Sequence, residues 1–155
     1  MPDGSKMALF IKRVTIVWEE YMKRDEIIES NKTYWNDHAD LWFGTTSLPT
    51  YGVRFPTEDD LHLSSDVVGK KMLEICCGSG HSLKYNAEKG AGELWGVDLS
   101  QKQLDNAAKL LSDSGYSARL LCSKMEDELE VPKGYFDYVY SIYGIGWTTD
   151  LQGTF

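Results

Sequence analysis

Cysteine is scarce in this chain, and the spacing of the few cysteines does not match the usual zinc sites. The 155 residues contain Cys76, Cys77 and Cys122, of which the first two are adjacent. No pair has the two-to-four-residue spacing that cysteine-rich zinc sites use, so we expect no metal centre. An odd number of thiols with an adjacent pair favours a reducing compartment, which predicts a cytoplasmic protein. We interpret the adjacent pair as small residues in a tight loop, with redox or metal chemistry as the alternative.

Basic residues and long apolar runs are also few. Sixteen Lys and Arg stand against 24 Asp and Glu, a formal net charge of −8. An acidic surface repels phosphate backbones, so we expect no nucleic-acid partner. No stretch approaches the roughly 20 apolar residues of a membrane span, and no signal-peptide pattern opens the chain, so we expect no membrane partner. The 42% of hydrophobic and 12% of aromatic residues predict a folded domain.

Residues 1–66 form the first predicted unit, a helical segment with a lid loop. Apolar residues three or four positions apart, from Phe10 to Met22, predict an amphipathic helix. A second helix is predicted to begin after Ser30 or Asn31, both good N-caps, and to end near Gly44. The sequence then predicts an ordered loop over 44–56 and a capping box over 57–60 that opens a short helix through Leu61 and Leu63.

Residues 67–155 form the second predicted unit, in which short apolar runs alternate with helical patterns. This alternation predicts an α/β fold with a doubly wound parallel sheet. The predicted strands are 71–76, 94–98, 118–122 and 136–142, and the predicted helices are 81–89 and one that follows the N-cap Ser100. The inward residues of the latter helix are predicted to be Leu104, Ala107, Ala108 and Leu111.

The end of the first predicted strand has the character of a ligand site. The sequence Leu-Glu-Ile-Cys-Cys-Gly-Ser-Gly places Glu74 before a turn that contains Gly78 and Gly80. Backbone N–H groups can meet a ligand at such a turn, where a Cβ would block close approach. Asp98 closes the next strand, where a carboxylate can accept hydrogen bonds from two ribose hydroxyls. Together these residues predict a nucleoside site, although Asp98 alone is also explained as a cap of the turn after it.

Two features favour a cationic nucleoside over a dinucleotide. A dinucleotide site usually has a third glycine three residues after the second, and Leu83 stands there. The carboxylate of Glu74 would repel a pyrophosphate, whereas it suits a cation. A sulfonium that carries an α-amino group is such a ligand.

Four segments resemble, in order, the motifs of class I S-adenosylmethionine (SAM) dependent methyltransferases. Segment 73–80 is similar to the first motif, an acid followed by Gly-x-Gly-x-Gly, except that Cys76 replaces the first glycine. Segments 95–100, 123–126 and 135–141 resemble those that hold the ribose, line the adenine and form the fourth strand. The resemblance covers about residues 67–147 and implies a Rossmann-like fold, SAM as cofactor and methyl transfer as activity. The cofactor-binding residues that it implies are Tyr34, Trp42, Glu74, Cys76, Cys77, Gly78, Gly80, Asp98, Leu99, Gln103, Met125, Glu126, Ser141 and Tyr143.

The resemblance also implies roles for some of these residues. Met125 would pack on the adenine with Glu126 near its exocyclic amine, and residues 141–143 would face the methionine end. Residues 34–42 resemble a segment that lies over the cofactor in many small-molecule methyltransferases, where an aromatic ring attracts the sulfonium. Packing of that helix on the sheet is an equal alternative. His38 is a candidate general base, although a structural role is favoured.

We expect a small-molecule acceptor, because Ser-Ile-Tyr-Gly follows the fourth strand in place of the Asn/Asp-Pro-Pro-Tyr motif that acts on base amino groups. No catalytic residue is assigned, since methyl transfer can be driven by proximity and orientation. The alternative is a non-catalytic nucleotide-binding or assembly module, and a nicotinamide-dependent oxidoreductase is a distant third.

The family's sheet has seven strands in the order 3-2-1-4-5-7-6, whereas the last strand predicted here is the fourth. We therefore expect a fold that is truncated after strand four and has little or no methyl transfer by itself. The outer edge of strand four is aromatic and β-branched, and such an edge pairs readily with another chain, which predicts a homo-oligomer.

Overall fold

The protein is described by a computed structural model that covers residues 23–45 and 47–154. The amphipathic helix predicted between Phe10 and Met22 lies outside the described residues. None of the helices described is long and apolar enough to cross a membrane.

A four-stranded parallel sheet forms the centre of the molecule. Its strands are β1 (Lys71–Ile75), β2 (Glu93–Asp98), β3 (Arg119–Cys122) and β4 (Tyr138–Tyr140), in the order β3-β2-β1-β4. The predicted strand order 3-2-1-4 and the Rossmann-like α/β fold are confirmed. In this register Glu74 of β1 lies between Gly96 of β2 and Tyr140 of β4.

Three predicted strands are longer than the observed ones, and β3 differs only in lacking its first predicted residue, Ala118. Strand β1 stops one residue early because Cys76 adopts a left-handed backbone with φ +58°. Strand β4 has three residues in place of the predicted seven. Its only partner among the described strands is β1, and Asp137 before it caps the start of β1, accepting the Lys71 N–H at 2.8 Å.

Two helices cover one face of the sheet. They are α3 (His81–Glu88) and α4 (Gln101–Asp113), and Ser100 is confirmed as the N-cap of α4 because its Oγ accepts the Gln103 N–H. Three of the four residues predicted to face inward are buried, but Ala108 is exposed, and Gln103 is buried instead. The core between helices and sheet consists of Val67, Met72, Cys77, Leu83, Leu94, Leu104 and Leu111.

The opposite face of the sheet has a smaller core. Leu73, Trp95 and Val97 are buried there, and partly buried residues of segment 129–136 pack against them. Period-two alternation along β1 explains the division, because Leu73 faces this core whereas Met72 and Glu74 face the helices.

The remaining elements are short, apart from the N-terminal helix. Residues 23–37 are helical and form α1, so the predicted start after Ser30 or Asn31 and the predicted end near Gly44 are wrong. Cap-type residues favour a helix start but do not impose one when good helix formers precede them, as in Asp-Glu-Ile-Ile-Glu. Turns continue to residue 45, where the Trp42 N–H still bonds to the His38 carbonyl. The others are α2 (Glu58–Leu61), a 3-10 helix (Gly144–Trp147) and α5 (Leu151–Thr154).

The loop over 44–56 and the capping box before α2 agree with the sequence analysis. Asp60 accepts the Thr57 N–H at 2.9 Å, which completes the box. The helix ends at Leu61, earlier than Leu63, because His62 adopts a left-handed backbone with φ +53°.

Candidate functional site

A cavity opens at the carboxyl edge of the sheet, where the loops that follow all four strands meet. Its floor is formed by the ends of β1 and β2, and its sides by the loops after β3 and β4. Residues of α1 and residues 42, 44, 45 and 47 also line it. Carboxyl ends of parallel strands are the usual place for a ligand in this class of fold.

The turn after β1 holds its shape through left-handed backbone. Cys76, Gly78 and Gly80 have φ of +58°, +50° and +77°. The position that Cys76 occupies therefore favours glycine for its backbone conformation as well as for its size. A non-glycine residue there costs about 1–2 kcal/mol, and such strained positions concentrate at functional sites.

The glycines around the cavity are required for two different reasons. A Cβ on Gly78 would enter the cavity, where the nearest atom is the Gln103 Oε1 at 3.9 Å. A Cβ on Gly80 would instead stand 2.8 Å from the Ala107 Cβ, and one on Gly96 would meet the Cys77 Sγ at 2.6 Å. Gly78 thus leaves space for a ligand, whereas the other two allow close packing inside the protein.

The adjacent thiols both line the cavity, with Cys77 buried and Cys76 half-buried. Burial raises the pKa of both Cys76 and Cys77, and the carboxylates of Asp98 and Glu74 add to the effect. Both side chains are therefore uncharged thiols near neutral pH, and a buried thiol of this kind is unreactive. This agrees with the interpretation of the pair as small loop residues. Cys76 also contacts Met125, with 4.0 Å between the sulfur atoms.

Asp98 joins two loops at the end of β2. Its Oδ2 accepts the Gly78 N–H at 2.8 Å and its Oδ1 accepts the Ser100 N–H at 2.9 Å. The side chain therefore caps the turn, as the alternative interpretation expected, and it also lines the cavity. Burial raises its pKa, although the backbone hydrogen bonds oppose the shift.

Glu74 is a fully enclosed acid on the cavity floor. It is 2% exposed, and the Tyr140 hydroxyl donates to its Oε2 at 3.4 Å while accepting from the Asn86 Nδ2 at 2.9 Å. Burial raises the pKa of Glu74 well above its usual value, and hydrogen bonds from Ser82 and Tyr140 oppose the shift only in part. A buried acid of this kind gains most from a cationic partner.

The loop after β3 contributes Met125 and Glu126 to one side of the cavity. The Glu126 Oε1 accepts the Thr149 N–H at 2.7 Å and the Thr148 and Thr149 hydroxyls at 3.1 and 3.2 Å. It therefore ties segment 148–149 to the loop after β3.

Three tryptophan side chains line the cavity. Trp35, Trp42 and Trp147 line it, and the rings of Trp35 and Trp147 meet edge to face at 5.3 Å. Tyr34 does not line the cavity, because its ring stacks on His38 at 4.2 Å. His38 bonds through Nδ1 to the Tyr34 carbonyl and is likewise absent from the lining, in agreement with a structural role.

The histidine that does line the cavity is His81, at the start of α3. Its Nδ1 lies 3.1 Å from the Ser79 Oγ, and Phe43 packs edge-on against the ring at 4.6 Å. Burial lowers its pKa, and the charge of Lys84 adds to the shift, so the ring is neutral near pH 7.

Of the two residues predicted after β4, one lines the cavity and the other does not. Tyr143 lines the cavity with a left-handed backbone, φ +64°. Ser141 does not line it, since its Oγ is buried beside Gly144, where a Cβ would approach it to 3.0 Å.

Most residues predicted from the sequence meet in this one cavity. Those that line it are Trp42, Glu74, Cys76, Cys77, Gly78, Asp98, Leu99, Gln103, Met125, Glu126 and Tyr143, and those that do not are Tyr34, Gly80 and Ser141. The sequence analysis missed Trp35, Thr45, Ser47, His81 and Trp147. Trp35 and His81 directly follow the predicted residues Tyr34 and Gly80, but only the turn of the backbone decides which neighbour faces inward.

Comparison with known proteins identifies a family. A methyltransferase-domain family matches residues 72–155, more than half of the chain. An uncharacterized protein of Haemophilus influenzae is 37% identical over 86 residues, which are 54% of this chain and 34% of that protein.

Solved structures share the fold. The cyclase SpnF superposes with a TM-score of 0.68 at 17% identity, covering 82% of this chain and 53% of that one. Magnesium protoporphyrin IX methyltransferase from Synechocystis, with bound S-adenosylhomocysteine (SAH), gives 0.54 at 15% identity, covering 74% and 57%. The chain thus spans from a third to about half of the length of these relatives.

The cavity fits the cofactor of this family. It offers an acid that favours a cation, an open position above Gly78 and, at the Gln103 Oε1, a buried acceptor without a donor among the described residues. Because the methyltransferase-domain family matches more than half of the chain, the chain belongs to the class I SAM-dependent methyltransferases, whose cofactor is S-adenosylmethionine.

Proposed function

We propose that this chain is the cofactor-binding portion of an enzyme that transfers a methyl group from SAM to a small-molecule acceptor. The observation that carries the proposal is the cavity, which has Glu74 and Asp98 on its floor and is covered by tryptophans. The net charge of −8 and the cover over the cavity favour a small acceptor over a nucleic acid.

The cofactor supplies a methyl group bound to a positively charged sulfur. We assign Asp98 to the ribose hydroxyls, Met125 and Glu126 to the adenine, and Glu74 to the cationic methionine end. Trp35 and Trp42 exclude water and present aromatic faces to a cation. Holding the reactants in line supplies much of the rate enhancement, so no catalytic base is assigned.

Titration calorimetry of the 155-residue chain with SAM, SAH and NAD tests this proposal. We expect saturable binding of SAM and SAH and none of NAD, because Glu74 disfavours a pyrophosphate. Binding of NAD alone would indicate an oxidoreductase, and binding of none of the three would reject the assignment of the site.

A non-catalytic nucleotide-binding or assembly module is the second candidate. It stays a candidate because one fold hosts several functions, so the fold by itself does not require catalysis. Methyl transfer from SAM by this chain to any of a panel of hydroxylated and amine-bearing small molecules would reject this candidate, whereas binding of SAM without transfer is expected of both candidates. We expect little or no methyl transfer by this chain alone.

We also propose that the protein is cytoplasmic.

We also propose that two or more copies associate through β4. In the part of the chain that the structure describes, β4 pairs with β1 on one side and with no strand on the other. Val139 at this edge is 62% exposed, and an unpaired edge of this kind favours pairing with a second copy.

A further inference from the structure

Segment 44–48 and the start of α3 form a polar side of the cavity. The N–H groups of residues 44 and 48 donate to the hydroxyls of Ser79 and Ser82, at 3.4 and 3.1 Å, which holds the segment against the helix. Thr45, Ser47 and His81 line the cavity here. None of these three residues has a part in the proposed binding of the cofactor. Methyl transfer needs a second reactant beside the cofactor, so this polar side is available for the acceptor.

The imidazole ring of His81 has one nitrogen bound to the protein and one without a partner. Its Nδ1 lies 3.1 Å from the Ser79 Oγ, whereas Nε2 has no hydrogen-bond partner among the residues that the structure describes. Gly44 is the neighbour of Nε2, since a Cβ at position 44 would stand 2.9 Å from that atom. Glycine at this position therefore lets the ring lie in the wall of the cavity without a clash.

The hydrogen bonds of Ser79 indicate which nitrogen of the neutral His81 ring carries the proton. The Ser79 Oγ accepts the Gly44 N–H, and its other partner within the described part of the chain is the His81 Nδ1. If the hydroxyl donates to Nδ1, only the Nε2–H remains unpaired. If Nδ1 carries the proton instead, both the hydroxyl proton and Nε2 remain unpaired. Because buried polar groups are normally paired, the first arrangement is favoured, and Nε2 is a hydrogen-bond donor.

We infer that the Nε2–H of His81 donates a hydrogen bond to an oxygen atom of the methyl acceptor. This inference rests on the proposed function and names the class of acceptor, a small molecule with a carboxylate, carbonyl or phenolic oxygen. A protonated amine has no lone pair to offer and does not fit. Since a donor cannot remove a proton, His81 in this form orients the acceptor and is not its base.

Nitrogen-15 NMR of the chain, which has three histidines, tests the donor without any ligand. The signals of protonated and unprotonated ring nitrogens are well separated, so the position of the proton can be read directly. We expect His81 to carry its proton on Nε2 and none on Nδ1 at neutral pH. A proton on Nδ1 alone would overturn the inference, whether or not the chain binds SAM.

Titration of the SAH-saturated chain with benzoate, phenol and benzylamine tests the class of acceptor. We expect benzoate and phenol to move the Nε2 signal of His81, and benzylamine, a cation at neutral pH, to leave it in place. Followed through the Thr45 amide signal, benzoate should bind His81→Leu about five- to tenfold more weakly than the parent, the effect of one lost hydrogen bond. His62→Asn, at an exposed histidine that does not line the cavity, is the control.

Three results would contradict these expectations in different ways. No response of His81 to benzoate and phenol, or an equal response to benzylamine, would overturn the acceptor site. A response to SAH alone, with no further change when benzoate is added, would assign His81 to the cofactor and overturn it as well. Failure of the parent to bind SAH would reject the proposed function and the acceptor site with it, so the two failures are distinguishable.

Discussion

Asp98 is the residue on which the loops after β1 and β2 both depend. We predict that Asp98→Ala weakens SAH binding roughly ten- to a hundredfold, since a hydrogen bond to a charged acceptor contributes about 1.5–3 kcal/mol. Calorimetry on protein shown to be folded by circular dichroism measures the effect. The surface variant Asp105→Ala is the control, and parental affinity in Asp98→Ala would contradict the ribose assignment.

Substitution of the glycines distinguishes ligand space from packing. We predict that Gly78→Ala weakens SAM binding at least tenfold while lowering the free energy of unfolding by about 1 kcal/mol, the cost of a Cβ at positive φ. Gly115→Ala has the same backbone cost at φ +77° with no atom within 4 Å of its Cβ, and it should leave binding unchanged. Gly80→Ala should destabilise more than either, because its Cβ would overlap Ala107. Parental SAM affinity in Gly78→Ala, measured by calorimetry, would reject the assignment of the turn.

Glu74 should make the stability of the free protein depend on pH. Because burial raises its pKa in the folded state, the unfolded chain releases this proton at lower pH, near 4.3. Between that value and the raised folded pKa the folded state binds more protons, so the free energy of unfolding decreases as pH rises. Asp98 contributes with the same sign.

We predict that Glu74→Gln reduces this decrease. Urea unfolding at several pH values between about 4 and 8 measures the slope, and the exposed Glu128→Gln is the control. The same variant should bind SAM more weakly at neutral pH, because the cationic methionine end loses its counter-charge. Equal slopes in parent and Glu74→Gln would show that Glu74 ionises in the folded protein as easily as in the unfolded chain.

Among the elements around the cavity, α1 and segment 147–150 contact each other. Arg24 of α1 pairs with Asp150 at 3.0 Å, and the rings of Trp35 and Trp147 are in contact. An exposed ion pair contributes at most about 1 kcal/mol, so the buried side of the segment matters more. On that side Glu126 accepts hydrogen bonds from Thr148 and Thr149.

We predict that Glu126→Ala loosens this segment without unfolding the sheet. The Thr149 amide would lose its acceptor, so its hydrogen exchange should accelerate by an order of magnitude or more, whereas amides of β1 keep their protection. Asp127→Ala, which changes an exposed neighbour, is the control. Unchanged exchange at Thr149 would show that other contacts hold the segment.

At the scale of the whole molecule, the open edge of β4 predicts association. We expect the parent to sediment as a dimer or larger species at micromolar concentration and Val139→Lys to be monomeric, because a lysine at an edge opposes strand pairing. Val68→Lys, at another exposed valine, is the control. A monomeric parent with fully protected β4 amides would contradict the proposal.

Patterns in the amino-acid sequence predicted the strands of the sheet and most of the candidate site. The N-cap at Ser100 and the strand ends that contribute Glu74 and Asp98 follow from local patterns, which depend on residues near in sequence, whereas the strand order was implied by the resemblance to the family. The shortened β4 was not predictable in this way, because a strand's length depends on how far its partner accompanies it.

Which side chains face the cavity depends on contacts between residues that are distant in sequence. Local spacing did not distinguish Tyr34 from Trp35 or Gly78 from Gly80, since the difference lies in contacts with His38 and with Ala107 of another helix. The exposed side chain of Gln101 and the buried one of Gln103 are likewise alike in sequence. The reason is that burial depends on which side of α4 packs against the rest of the molecule, and Gln103 shares the buried side with Leu104 and Ala107 whereas Gln101 is exposed.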